Sequence, residues 1–243
     1  MLNHKNPEMD YTGYIDDSLP EGAILIIGAG HFGKRAVRIL SETGLRQSPL
    51  LVVDKDENSL AEIKEPSIEK FHHDGIDFLA KNFHLLSPSN TIIPAVPVHL
   101  AFEWLKSYLD NVCKIKQTKV PGEIKSLLPH TWRGSEGSLL ISYADFLCPE
   151  DCPEPADYCT VTGEKRAKPL YELLSQLDLL NYKIHIIKSR QLAPGLGGYK
   201  VDDLRQLATR VRKQGKGMWL VGTACRCHGT VSAMEIKPLG GLS

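Results

Sequence analysis

Continuous apolar runs alternate with segments of helical period along most of the chain. Ala23–Ile27 (AILII) is unbroken and rich in β-branched residues, the pattern of a strand buried on both faces. His31–Thr43 places Phe32, Ala36, Val37 and Leu40 at helical spacing, with Gly44 as its stop. Leu50–Val53 predicts a second buried strand, Glu57–Lys64 a short helix ended by Pro66, and Ile68–Phe71 a third strand. Asp77–Asn82 reads as a helical turn, Thr91–Pro94 as a fourth strand and Val98–Leu109 as a helix. Further strands are expected at Val112–Ile115, Leu139–Tyr143, Lys183–Lys188, Met218–Val221 and Val231–Ile236, and helices at Leu170–Leu180 and Val201–Gln214. Strands separated by helices imply βαβ units and an α/β fold with a doubly wound, mainly parallel sheet.

Residues 1–22 form a polar arm, expected to be irregular or packed on the surface. The remainder, 23–243, reads as a single domain. Its weakest stretch is Lys116–Gly137, where Pro121, Gly122, Pro129 and Gly134 mark a subdivision or a long crossover. At 243 residues, with 42% hydrophobic and 24% charged positions, the composition is that of an ordinary globular protein. Lys plus Arg balance Asp plus Glu at 29 each, which argues against a whole-surface nucleic-acid binder. The helix around Arg205, Arg210 and Arg212 is basic but lacks interleaved aromatic platforms, so no nucleic-acid partner is expected. No run of 18 apolar residues occurs and the arm lacks an apolar secretory core, so the expectation is a cytoplasmic chain without membrane insertion.

The strongest motif is Gly28-Ala29-Gly30-His31-Phe32-Gly33, directly after the AILII strand and opening a helix. Gly28 allows the tight turn, Gly30 lets a pyrophosphate approach the backbone, and Gly33 lets the helix pack on the strand. The free N–H groups of the helix N-terminus, with His31 and Phe32 in its first turn, would hold the phosphates, and Lys34 and Arg35 would add to the field. About 20 residues on, the second strand ends in Asp54, placed to accept the ribose hydroxyls and repel a 2′-phosphate. That favours NAD(H), although a cation at Lys55 is compatible with a 2′-phosphate. Asp74 faces the adenosine or is a solvated turn acid. Ala95 and Val96, after the fourth strand, are candidate walls of the cofactor site or simply a proline-rich strand end.

Gly28–Gly33, Asp54 and Asp74 resemble the NAD-binding Rossmann superfamily. Within it the stretch 23–110 resembles the TrkA/KTN-type nucleotide-binding domains that regulate potassium transport. These show G-x-G-x-F-G, an acid after the second strand, and a Gly-Asp or similar pair after the third. Here His72-His73-Asp74-Gly75 takes that third place in a different order. The resemblance implies a Rossmann-like fold and a dinucleotide cofactor. No separate C-terminal ligand-sensing domain of that family is evident, and the cysteines are not part of its pattern.

Five of six cysteines fall in two groups, Cys148/Cys152/Cys159 and Cys225/Cys227. A reducing cytoplasm disfavours structural disulfides, so the groups need another reading. Each follows an expected strand, and in a parallel sheet both would reach the edge carrying the glycine loop. The first loop holds Glu150, Asp151, Glu154 and Asp157 and no Lys or Arg, which suits a bound cation better than a nucleophilic thiolate. Four thiolates suffice for zinc or for an iron–sulfur cluster. Cysteine–proline steps and the absence of C-x₂-C lean toward the cluster. A redox disulfide and reduced cysteines acting as small hydrophobes are the alternatives. His228 is a candidate ligand or proton donor, and Cys113 reads as core. Leu192–Tyr199 reads as a flexible loop or, through its three glycines, a second anion-binding nest. Trp104 and Trp132 read as packing residues.

The leading expectation is an NAD(H)-binding redox protein with a cysteine-ligated metal or iron–sulfur centre at the cofactor edge of the sheet. An NAD-dependent oxidoreductase is the enzyme class it implies. Hydride carries two electrons and a cluster takes one, so a flavin or redox partner protein must intervene; a second copy of the chain is a further candidate partner. No acid–base set stands out, and Tyr143, His228 and His31 are the catalytic candidates. The alternatives are a regulatory module sensing NAD(H) or redox state, as the TrkA-type resemblance implies, and a nucleotide-binding domain with structural zinc.

Overall fold

The structure is a computed structural model that describes residues 9–42, 48–166 and 168–239. The expected helix stop at Gly44 lies outside the described residues. The chain divides into two compact units, Met1–Leu100 with Gly198–Arg205, and Ala101–Gly197 with Gln206–Ser243. The break falls at Leu100, upstream of the proline- and glycine-rich stretch that marked a subdivision in the sequence.

The first unit is built as the sequence predicts. Strand β1 (Ile24–Ile27) is followed by helix α1 (His31–Glu42), β2 (Leu50–Asp54), α2 (Glu57–Ala61), β3 (Ile68–His72), α3 (Gly75–Asn82) and β4 (Thr91–Pro94). The strands run in the order β3-β2-β1-β4, all parallel. Every residue of β1 is buried, because the sheet is covered on both faces. Gly33, Ala36, Val37 and Leu40 form the buried stripe of α1. The chain order reverses between β1 and β4, which makes their C-terminal ends a topological switch point.

From Asp10 on, the described part of the arm is tied to this sheet. Asp10 bridges Phe71 in parallel register, its N–H reaching Lys70 O at 2.9 Å while its own carbonyl takes His72 N at 2.8 Å. Buried Asn82 then accepts from Ile15 N and donates to Gly13 O, each at 2.9 Å. The free edge of β3 is thereby covered.

The second unit holds α4 (Leu100–Tyr108) after its first residue, then β5 (Cys113–Thr118), β6 (His130–Arg133), β7 (Leu139–Ser142), α5 (Leu170–Ser175), β8 (Tyr182–Lys188) and β9 (Arg190–Ala193). Strand β10 (Leu196–Lys200) and helix α6 (Val201–Gln214) cross the division, and β11 (Gly217–Ala224) and β12 (His228–Pro238) close the chain. The sheet order is β6-β7-β12-β11-β8, with β5 also on β12. Only β8 and β11 pair in parallel; β12 is antiparallel to β11, β7 and β5, and β6 to β7. The doubly wound, parallel arrangement is thus confined to the first unit. Leu139, Ile141, Leu170, Leu174, Leu220, Val231 and Ala233 form a buried core under α5.

Three local expectations change. Leu192–Tyr199 is neither a flexible loop nor a nest: β9 and β10 are sheet neighbours that turn at Gly195 (φ 67°), and Tyr199 and Lys200 pair antiparallel with β4. Trp104 is fully buried, whereas Trp132 is 47% exposed on a strand at the sheet edge. Cys113 is half-buried on β5 rather than a core residue.

Candidate functional site

The glycine loop leaves β1 at the switch point of the first unit. Gly28 has φ 110°, and a Cβ there would lie 2.5 Å from Ala95 O and 3.1 Å from Val96 Cγ1. A side chain is excluded by conformation and by the chain leaving β4. A Cβ on Gly33 would lie 1.9 Å from Gly28 O, so only glycine lets α1 approach this turn. Gly30 differs: its Cβ would meet nothing within 4 Å, and the residue is exposed. Two glycines are thus demanded by packing, while the third opens onto free space at the N-terminus of α1. Ala95 and Val96 stand beside the loop, where the sequence placed them, and Ala95 N donates to Ile27 O at 2.8 Å.

Asp54 ends β2 beside the loop. Its Oδ2 accepts from Ala29 N at 2.5 Å and its Oδ1 from Asp56 N at 2.8 Å. Lys55 and His31 are exposed, and Phe32 is 63% exposed next to Gly30. Lys34 is engaged elsewhere, in an ion pair with Glu62 at 2.5 Å, so its charge is not free for a phosphate. Asp74 has a structural task that the sequence reading missed. It is the N-cap of α3, its Oδ1 accepting from Ile76 N at 2.9 Å and Asp77 N at 3.1 Å.

The sequence reading also missed the aromatic and imidazole groups beyond Asp54. Tyr11 from the arm meets His72 edge to face at 5.3 Å and donates to Glu57 at 2.6 Å. That hydrogen bond raises the Tyr11 pKa. His72 Nε2 lies 2.9 Å from Lys55 O, and a Cβ on Gly13 would strike the His73 ring. No local signal in the polar arm announces these contacts.

The cysteines belong to the second unit. The expectation that they share a sheet edge with the glycine loop is corrected: the two features lie on different sheets in different units. The thiols nevertheless converge. Both β7 and β11 run antiparallel to β12, so their C-terminal ends point the same way. Cys148, Cys152 and Cys159 lie on the long loop leaving β7, and Cys225 and Cys227 on the turn between β11 and β12. Tyr143 N donates to Cys227 O at 3.0 Å and Leu170 N to Arg226 O at 2.8 Å, clamping both ends of the loop to the turn. Between them, Glu154, held at φ 47°, takes Arg226 N at 2.7 Å.

All six thiols are free of disulfides. Cys148 Sγ lies 3.6 Å from His228 Nε2, and Cys225 Sγ 3.9 Å from His228 Nδ1. The Cys225 thiol accepts from Cys227 N at 3.4 Å and His228 N at 3.3 Å. Cys159 repeats that pattern: the backbone N–H groups of Thr162 and Val161 hydrogen-bond its sulfur and lower its pKa. Arg166 reaches into the group, its guanidinium donating to Cys227 Sγ and its Nε to Tyr158 O at 2.9 Å. Burial raises the Cys148 pKa, aided by Cys152 and Cys159 and opposed by Arg166. Burial, with Glu154 beside it, pushes Cys225 up to about 12. Burial lowers the His228 pKa, so its ring is neutral near pH 7. Tyr143 donates to Lys168 O at 2.8 Å. Among the described residues, no three His, Cys, Asp or Glu side chains already stand at the spacing of a metal site. The sequence drew attention to the acids of this loop and missed Arg166, which approaches only through the fold.

Comparison with known proteins assigns both parts of the chain. The TrkA-N domain model matches residues 24–80, the stretch holding the glycine loop, Asp54 and Asp74. The model AF_1314_C, described as the C-terminal domain of an uncharacterized protein, matches residues 101–237. An uncharacterized protein of Archaeoglobus fulgidus is 29% identical over 228 residues, covering 87% of this chain and 98% of its own. No solved structure matches the chain. The first unit is therefore a TrkA-like, Rossmann-type nucleotide-binding domain. No described helix is long and apolar enough to cross a membrane.

Proposed function

Because the chain belongs to the AF_1314_C family and carries a TrkA-N domain ahead of that C-terminal domain, we propose that it is a regulatory module that binds NAD(H) through its first unit. The observation that carries this reading is the division of labour among three glycines. Gly28 and Gly33 are required by packing, while Gly30 leaves bare backbone at the N-terminus of α1. A pyrophosphate there meets the N-terminus of α1 and the positive end of the helix dipole. His31 and Phe32 flank it, and Ala95 and Val96 form the wall after β4. Asp54 takes the adenosine ribose hydroxyls, and its charge disfavours a 2′-phosphate. Tyr11, His72 and Lys55 then lie on the adenine side.

Regulation is favoured over catalysis because the TrkA-N match covers the stretch that holds the glycine loop and Asp54. The alternative, an oxidoreductase passing electrons to a partner protein, draws its support from the thiols of the second unit.

Calorimetric titration of the full chain with NADH and NADPH tests the reading. NADH is expected to bind tighter than NADPH, and Gly30→Glu to abolish binding with unchanged circular dichroism. Unchanged NADH affinity in Gly30→Glu rejects the site. Sustained NADH oxidation with an artificial acceptor rejects the regulatory role in favour of the enzyme.

A further inference from the structure

Along the C-terminal edge of the first unit's sheet, the strand order β3-β2-β1 sets three features side by side: the glycine loop after β1, Asp54 at the end of β2 and His72 at the end of β3. Asp54 and His72 are register partners. The arm adds one position more, because Asp10 pairs with Phe71 at the free edge of β3. We propose that the arm completes the dinucleotide site, with the Tyr11 ring as the surface on which the adenine base stacks and His72 as the residue that positions that ring. This inference rests on the dinucleotide reading and deepens it. A segment outside the TrkA-N match to residues 24–80 supplies part of the site.

Three observations carry the assignment. The first is the order of the groups. A pyrophosphate at Gly30 and a ribose at Asp54 occupy the ends of two neighbouring strands, so the base continues toward β3. Neighbouring strands stand about 4.8 Å apart, which directs the base over His72 and the arm, one to two strand positions beyond Asp54.

The second is how Tyr11 is held. Its hydroxyl donates to Glu57 Oε1 at 2.6 Å, in the first turn of α2, and its ring meets His72 edge to face at 5.3 Å. Tyr11 thus reaches from the edge of β3 back to the helix that follows β2. His72 is fixed in turn, its Nε2 lying 2.9 Å from Lys55 O. These contacts still leave Tyr11 59% exposed. An aromatic ring tied at its hydroxyl and at one neighbour, yet open to solvent, is a preorganised stacking surface. Covering the edge of β3 takes only the backbone of Asp10, so the ring is surplus to that task.

The third is the anchoring on either side of Tyr11. Before it, Asp10 N donates to Lys70 O and Asp10 O accepts from His72 N. Asp10 Oδ1 also accepts from Thr12 N at 2.6 Å and Thr12 Oγ1 at 2.7 Å, which turns the chain at Tyr11. After it, Gly13 is buried at φ 69°, where any Cβ would strike the His73 ring, and its carbonyl accepts from Asn82 Nδ2. Only glycine fits there. Tyr11 is the exposed crown of a turn pinned at both ends.

Calorimetric titration of the full chain with NADH and with ADP-ribose, which keeps the adenosine and pyrophosphate and lacks the nicotinamide, tests the assignment. Tyr11→Ala is expected to weaken both ligands by about tenfold, the order of a base–aromatic stacking contact. Tyr11→Phe keeps the ring, loses one hydrogen bond and is expected within about threefold of the parent. Tyr14→Ala, at the exposed arm residue that faces Lys81 instead, is expected to leave both affinities unchanged. His72→Ala is expected to weaken NADH in the parent and to add nothing in the Tyr11→Ala background, because it acts through the ring. Saturating NADH is also expected to slow amide hydrogen exchange at Tyr11–Tyr14 in the parent and not in Gly30→Glu. A parent that binds neither NADH nor ADP-ribose overturns the dinucleotide reading and this inference with it. NADH binding that Gly30→Glu abolishes and Tyr11→Ala leaves intact overturns this inference alone. So does a loss in Tyr11→Phe as large as in Tyr11→Ala, or arm exchange that NADH does not change.

Discussion

Asp54 Oδ2 accepts a hydrogen bond from Ala29 N at 2.5 Å, joining the end of β2 to the glycine loop that follows β1. The carboxylate that would hold the ribose thus also holds the loop that would hold the phosphates. Asp54→Asn keeps the shape and removes the charge. It is expected to weaken NADH binding by about 10- to 100-fold, the worth of a hydrogen bond to a charged group, and to narrow the preference for NADH over NADPH. Calorimetry with both nucleotides reads the two effects together.

The glycines should separate stability from binding. Gly33→Ala places a Cβ 1.9 Å from Gly28 O. Overpacking against backbone is expected to cost about 1–3 kcal/mol in a denaturant melt. Gly30→Ala meets nothing within 4 Å. Its stability is expected within about 0.5 kcal/mol of the parent, with the loss appearing in nucleotide affinity instead.

Asp74 caps α3 through Ile76 N and Asp77 N. Asp74→Ala is expected to lower stability by about 1 kcal/mol. Asp74→Ser retains a capping oxygen and should recover most of it. Denaturant midpoints of the two variants check the cap.

His99 is buried, and burial lowers its pKa from 6.5 to about 3. In the unfolded chain the imidazole takes a proton as pH falls through its ordinary value, while the folded chain keeps it neutral. The unfolded state then binds more protons, so folding stability falls on acidification between those two values. The expected loss is roughly 1.4 kcal/mol per pH unit from this group. Urea melts at pH 7.5, 5.5 and 4.5 should show a steeper decline for the parent than for His99→Leu. Equal slopes would show that His99 is not the group responsible.

In the first unit, sequence and structure agree because its signals are local. Strands covered on both faces read as unbroken apolar runs, and AILII and LLVV sit where β1 and β2 form. The glycine spacing is likewise a property of one turn, and the matched TrkA-N stretch coincides with it. The second unit hid its topology for the opposite reason. β5 and β7 carry only weak local patterns, and their partners in β12 lie about a hundred residues away. Antiparallel register across such a separation leaves no trace in local periodicity.

By itself, then, the amino-acid sequence determined the α/β character, the glycine turn with its acid at the end of β2, and the clustering of thiols into two groups. Each depends on residues near one another in the chain. Tertiary structure alone decided the division into two units, the placing of thiols and glycine loop on separate sheets, the capping role of Asp74, and the entry of Arg166 among the cysteines. Those depend on which distant strands pair and in which direction, and the β7–β12–β11 pairing settles that only once the chain has folded.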